Sequence, residues 1–167
     1  GSGPAGLSAA WFLSLEGHAV TVFEAREKAG GMLRYGIPEY RLPKAVLDAE
    51  IDVIRSLGVE IRCGQGIGPA RPATGLLGEG YHAILIAAGA QRPRFMGIEG
   101  EDLPRVLGGI DFLAAVASGG RPSLGADVAV VGGGEPGFNP GGGARRPGGG
   151  GGRVVSGRPP GRWPPTP

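Results

Sequence analysis

Three glycines, a helix, a short β-branched run and an acid follow one another in the first 24 residues, and this order constrains the fold more than any other feature of the chain. In GSGPAGLSAAWFLSLEG the glycines stand at Gly1, Gly3 and Gly6. In such a GxGxxG loop the first glycine makes the turn from strand to helix, the second lets the backbone approach a pyrophosphate, and the third lets helix and strand pack closely. Pro4 suits the first helical turn, where its missing N–H costs nothing. The helix start then offers free N–H groups and a positive dipole end to phosphates. HAVTVFE reads as a short buried strand ending at Glu24, 18 residues beyond Gly6. A carboxylate there accepts hydrogen bonds from both ribose hydroxyls and repels a 2′-phosphate, which predicts FAD or NAD rather than NADP at this first site.

The remaining pattern alternates helix and strand. KAVLDAEIDVIRSLG repeats apolar residues at Leu47, Ile51 and Ile54, opens after Pro43 and closes at Gly58, an amphipathic helix. VEIRC reads as a strand, and YHAILIAAGA as an apolar strand buried on both faces of a parallel sheet. GIGPARPATGLLGEG is turn-rich, with one helical turn. IDFLAAVASGG is a helix, and ADVAVVGGG a strand running into a second glycine turn. The fold class expected is α/β, a doubly wound parallel sheet of Rossmann type. The strand that should feed Gly1 is not among these residues, so the chain reads as an internal fragment truncated at its first strand and expected to bind its cofactor poorly.

Charge divides the chain. Residues 1–134 hold 12 Lys/Arg against 14 Asp/Glu, whereas residues 135–167 hold five Arg against Glu135 alone, so the net +2 arises in the tail. The slightly acidic first part has no aromatic-flanked basic run, which argues against nucleic acid as a partner. Cys63 is the only cysteine, leaving no disulfide framework, no CxxC pair and no cysteine-based cluster site, in keeping with a cytoplasmic setting. No apolar run approaches the roughly 18 residues of a membrane span, so no membrane partner is expected.

The stretch FEAREKAGGMLRYGIPEYRLPKAVLDAEIDVIRSLGVEI, residues 23–61, carries a family resemblance. From Gly1 to Gly134 the sequence resembles the small, flavin-carrying chain of NADPH-dependent glutamate synthase and the related flavin domain of dihydropyrimidine dehydrogenase. The resemblance implies an FAD-binding domain over residues 1–127 and the start of an NADPH-binding domain at 128–134. It implies that Gly3, Pro4 and Ala5 meet the FAD pyrophosphate and that Glu24 holds the adenosine ribose. Gly31, Met32 and Leu33 would continue the cofactor wall, and Arg41 would add a positive charge, a guanidinium being suited to a diphosphate. Ile67 would sit by the adenine, and Ala88, Gly89 and Ala90 at the turn near the flavin. The implied activity is an FAD-dependent oxidoreductase in which electrons pass from NADPH through FAD to 4Fe-4S clusters, whose ligands are not in this chain. The glutamate synthase large subunit is the implied partner. The alternative on the same frame is the electron-input module of a pyrimidine-reducing dehydrogenase.

No catalytic side chain is expected, because hydride transfer between nicotinamide and flavin needs no protein acid or base. Cys63 ends a strand with no partner and reads as a core cysteine. His18 and His82 lack acidic neighbours at ligand spacing, and Glu101 and Asp102 read as a solvated turn.

Gly132, Gly133 and Gly134 begin a second phosphate loop, and Gly132, Gly134 and Gly137 formally satisfy GxGxxG. The helix that must follow is denied by prolines at 136, 140 and 147 with little but glycine between them. Residues 135–167 read as low-complexity and without a core of their own. Gly, Pro, Arg and Ala have codons made wholly of G and C, so this segment reads as GC-rich coding DNA in a shifted frame, which resequencing of the locus decides. A non-enzymatic reading, with the tail as a disordered nucleic-acid arm, is weakened by its five dispersed arginines and the absence of Phe or Tyr beyond Phe138.

Overall fold

The glycine loop and the helix behind it form as the spacing predicts. The computed structural model describes residues 1–93, 96–125 and 127–132, and the backbone of 154–157. Helix α1 (Pro4–Leu15) has Gly3 in extended conformation at its N-cap and Pro4 in its first turn. Gly6, Leu7 and Ala10 are buried, whereas Leu15 at the end of the helix is 58% exposed. The chain turns at Gly17, which has φ +86°, and enters strand β1 (Thr21–Phe23).

A short helix that periodicity could not announce, α2 (Met32–Tyr35), follows the left-handed pair Gly30 and Gly31. Helix α3 (Lys44–Ser56) begins after Pro43, where the Glu39 carboxylate accepts the Lys44 amide at 3.0 Å, and ends before Gly58, with φ +87°. It delivers the chain to β2 (Glu60–Arg62), which pairs in parallel with β1 in the register Thr21 to Glu60, Val22 to Ile61 and Phe23 to Arg62. A parallel pair needs such a crossover helix.

The core lies between α1, α3 and this pair. Leu7, Ala29, Leu47 and Ile51 are buried together, with Leu33, Ile54, Ile61 and Cys63 packed against them. Ala10, Val22 and Val59 form a second cluster that shares Ile54 and Ile61. Leu47 and Ile51 are four residues apart on one face of α3, and each contributes about 1.5–3 kcal/mol by burial. Helix α4 (Ala73–Gly78) is the single helical element of the turn-rich stretch.

Residues 81–90 depart from expectation. They form no strand, and Leu85 and Ile86 are 63% and 77% exposed. A buried parallel strand is held by ladders to its neighbours, and among the described residues none pairs with this run, while β1 pairs only with β2. The apolar run therefore lacks the partner that would make it a strand.

The chain divides into two compact units, Gly1–Gln91 and Arg92–Pro167. In the second, helix α5 (Gly109–Ala117) buries Phe112 and Leu113. Strand β3 (Val128–Val131) pairs in parallel with β4 (Val154–Gly157). Of the segment 135–167, which reads as low-complexity, the described part is this backbone stretch alone. Gly132 closes β3 with φ +104°, whereas Gly133 and Gly134 lie outside the described residues. No helix among the described residues is long and apolar enough to cross a membrane.

Candidate functional site

The three glycines of the loop are there for different reasons. A Cβ on Gly6 would lie 1.9 Å from the Gly1 carbonyl oxygen, and one on Gly1 would lie 2.7 Å from the Ala87 carbonyl oxygen. Both positions are closed to any side chain by backbone. Gly3 differs: its φ is −75°, and a Cβ there would meet nothing nearer than the Gly31 Cα at 3.9 Å. Neither conformation nor packing requires a glycine at position 3. What remains is the need for bare backbone on the cavity that Gly3 lines.

That cavity measures about 860 Å³ and lies within residues 1–91. Gly1, Gly3, Pro4, Ala5 and Gly6 line it at the start of α1, Glu24 at the end of β1, and Gly31, Met32, Ile67, Ala88 and Gly89 elsewhere on its wall. Eleven sequence-predicted positions thus meet at one site. The cavity also runs along Val20, Val22, Ile84 and Ile86, the apolar space flanking β1.

Three expected positions fall elsewhere. Leu33 packs against the core cluster of Leu7, Leu47 and Ile51, because it is one residue on from Met32 in α2, a rotation of about 100°. Arg41 is exposed in the turn where its amide bonds the Pro38 carbonyl oxygen at 3.0 Å, and it does not line the cavity. Ala90 is exposed beyond Gly89. Of the second glycine motif, only Gly132 is described.

Glu24 is 6% exposed and accepts from three backbone and hydroxyl donors. Its Oε2 accepts the Ser2 amide at 2.9 Å and the Ser2 hydroxyl at 2.5 Å, and its Oε1 accepts the Arg26 amide at 2.8 Å. Burial pushes this carboxyl up, but the Ser2 hydroxyl and the Arg26 and Ser2 amides outweigh it and hold it below the ordinary glutamate value. Among the described residues its hydrogen-bond partners are a hydroxyl and two amides rather than a side-chain cation.

The segment after β1 is pinned by two cations. Arg34, 6% exposed, donates to the Ala29 carbonyl and pairs with Asp48 of α3. Lys44 Nζ donates to the carbonyl oxygens of Leu33, Ile37 and Leu42 at 3.0, 2.7 and 3.0 Å. Burial and the Arg34 charge lower the Lys44 ammonium while Glu39 raises it, leaving it below the ordinary lysine value. Three carbonyls on one ammonium fold residues 33–42 into a single turn over α3. Beside the site, the Arg71 guanidinium sits 4.6 Å from the Phe23 ring centroid, and Tyr81 meets the same ring edge-on at 5.7 Å. The sequence offered no sign of these contacts, nor of the role of Ser2.

Comparison with known proteins agrees with this geometry. Residues 1–57 match the family described as NAD(P)-binding Rossmann-like domain. The chain is 42% identical over 143 residues to the NADPH-Fe(3+) oxidoreductase subunit beta of Geobacter sulfurreducens, covering 80% of this chain and 20% of that one. It is 45% identical over 137 residues to the NADP(+)-dependent formate dehydrogenase subunit beta of Moorella thermoacetica, with 80% and 19% covered. It is 39% identical over 150 residues to the glutamate synthase [NADPH] small chain of Mycobacterium tuberculosis, with 82% and 30% covered. The chain thus spans less than a third of the length of these relatives. In fold it is similar to FprA of Mycobacterium tuberculosis, solved in complex with NADPH, at TM-score 0.63 and 24% identity over 78% of this chain and 32% of that one. Over most of its length the chain is thus similar to subunits named for NADPH- and NADP(+)-dependent reactions, and its residues 1–57 match a Rossmann-like dinucleotide-binding domain.

Proposed function

We propose that residues 1–91 hold the ADP half of FAD in a flavoprotein oxidoreductase that draws electrons from NADPH, as in the glutamate synthase small chain. The observation that carries this reading is Gly3, a glycine that the protein's own packing does not require, facing an 860 Å³ cavity at the start of α1. The residues fit the group. The N–H groups at the α1 start suit a diphosphate, and Glu24 at the end of β1 suits ribose hydroxyls while repelling a 2′-phosphate. Gly31, folded against Gly3, and Met32 wall the same cavity.

Bound FAD would supply the two-electron acceptor for hydride from NADPH. This chain's residues bind and orient it and exclude water; none is asked to move a proton. β3 and Gly132 would open the NADPH site. Electrons would leave toward 4Fe-4S clusters and a larger partner subunit such as the glutamate synthase large subunit, in the cytoplasm. The relatives named for formate and Fe(3+) reactions share the same frame, so the final acceptor is a separate question. A pyrimidine-reducing dehydrogenase is the alternative parent, distinguished by substrate assays and partner subunits.

The test is made on the longer protein to which these residues belong. It should show flavin absorbance as purified and oxidise NADPH with an artificial acceptor. Absence of both flavin and NADPH oxidation would reject the proposal.

A further inference from the structure

We infer that Ser2 is a positioning residue that orients Glu24 toward the adenosine ribose and so governs how strongly the site discriminates ribose from a sugar lacking its hydroxyls. This rests on the dinucleotide reading above and deepens it, since the first variable position of a GxGxxG loop is ordinarily noted only for its backbone.

Ser2 is completely buried. Its amide and its hydroxyl both donate to Glu24 Oε2, and its hydroxyl and its carbonyl oxygen each accept the Gly30 amide at 3.1 Å. One side chain therefore ties together the phosphate loop, the acid at the end of β1 and the turn that brings Gly31 against Gly3. A carboxylate has about four lone-pair positions. Ser2 fills two on Oε2 and the Arg26 amide one on Oε1, which fixes the plane of the carboxylate and leaves Oε1 an open acceptor position. Without the Ser2 hydroxyl, Oε2 keeps a single donor and the carboxylate can rotate. A rotated carboxylate still repels phosphate but no longer meets a ribose hydroxyl in line.

The experiment uses the longer protein to which these residues belong, freed of flavin, and two probes, ADP and 2′,3′-dideoxy-ADP, in titration calorimetry. ADP should bind about tenfold tighter than the dideoxy probe, the worth of one good hydrogen bond. Ser2→Ala, and the near-isosteric Ser2→Cys in case the alanine variant folds poorly, should bring that ratio below about threefold. Ile51→Val, which weakens the core without touching the network, should leave the ratio intact. A ratio unchanged in both Ser2 variants overturns the inference. In parallel, the Glu24 carboxyl is titrated by NMR. The group that touches it besides Ser2 is the Arg26 amide, common to all variants, while the Arg26 guanidinium lies over the Tyr35 ring, 4.2 Å from its centroid. The Glu24 midpoint should rise in Ser2→Ala; a midpoint that does not move overturns the inference even if neither probe binds, whereas failure of wild type to bind either probe with a Ser2-dependent Glu24 midpoint counts against the dinucleotide reading alone.

Discussion

Gly31 is folded backbone to backbone against Gly3. A Cβ on Gly31 would stand 2.6 Å from the Gly3 Cα and 3.0 Å from its nitrogen, and Gly31 already holds φ +50°. Gly31→Ala therefore meets both a strained conformation and a rigid obstacle, and should cost about 2–4 kcal/mol of stability. Gly58→Ala has φ +87° but nothing within 4 Å and should cost only about 1 kcal/mol. Denaturant titration of the two variants gives the comparison, and equal losses would remove the argument for a Gly3–Gly31 contact.

Gly3→Ala and Gly6→Ala separate binding from folding. At Gly6 the new methyl group meets the Gly1 carbonyl oxygen at 1.9 Å, so the variant should be destabilised by several kcal/mol, of the order of 3. At Gly3 the methyl group enters the cavity, so the unfolding midpoint should hold within about 1 kcal/mol while ADP affinity falls tenfold or more. Loss of stability without loss of affinity at Gly3 would remove the observation on which the dinucleotide reading stands.

Much of this site is legible in the sequence because the physics behind it is local. Gly1–Gly3–Gly6, Pro4 and the spacing to Glu24 encode a turn, a helix start and a strand end, and α1, β1, α3 and β2 follow from periodicity. Met32 lines the cavity, but α2 itself is only four residues long, too short for a period, and owes its shape to carbonyl bonds from Lys44 and Arg34. Leu33 and Arg41 lie off the cavity wall, Leu33 because it is a rotation of about 100° from Met32 and Arg41 because it sits in the exposed turn that its amide closes on Pro38. Ser2 gave no signal, since its value depends on Glu24 and Gly30, 22 and 28 residues away. The continuous apolar run YHAILIAAGA, residues 81–90, reads as a buried strand, yet a strand exists only with a neighbour.

The core prediction is simpler. Ile51 is 2% exposed and packs with Leu7, Ala29 and Leu47, whereas Val53 on the opposite face of α3 is 48% exposed. Ile51→Ala should lose about 2–5 kcal/mol, and Val53→Ala should stay within about 0.5 kcal/mol. Thermal or denaturant unfolding of both measures it.

Acid should act on Glu24. Its folded value lies below the ordinary one, so the stability it confers is complete above the unfolded-state value, about 4.3, and is lost as pH falls through the lower folded value. Glu60 and Glu101 are lowered in the same direction by Arg62 and by the Met96 and Gly97 amides, so the difference between wild type and Glu24→Gln isolates the one group. At neutral pH the glutamine amide has one acceptor oxygen and cannot accept from both Ser2 and the Arg26 amide, so Glu24→Gln should cost about 1–3 kcal/mol. That difference should shrink steadily below pH 4.5, and a difference independent of pH would mean that Glu24 is not held ionised by its donors.

The space beside β1 offers the last test. Val20, Val22, Ile84 and Ile86 line it together with Gly1, and the backbone of β1 is paired on the β2 edge alone. A strand entering Gly1 from this space would pair with β1 on one side and with residues 83–88 on the other, as a doubly flanked parallel strand. Val-Ala-Val-Val, copied from β3, has the apolar character on both faces that such a position demands. Fused ahead of Gly1, it should slow hydrogen exchange across residues 83–88 and raise stability by about 2 kcal/mol, the net of burying its valines against the cost of ordering four residues. Val-Pro-Val-Pro, with two amides removed, should do neither. Equal exchange at 83–88 with both extensions would mean that this space accepts no strand and that the exposed Leu85 and Ile86 need another account.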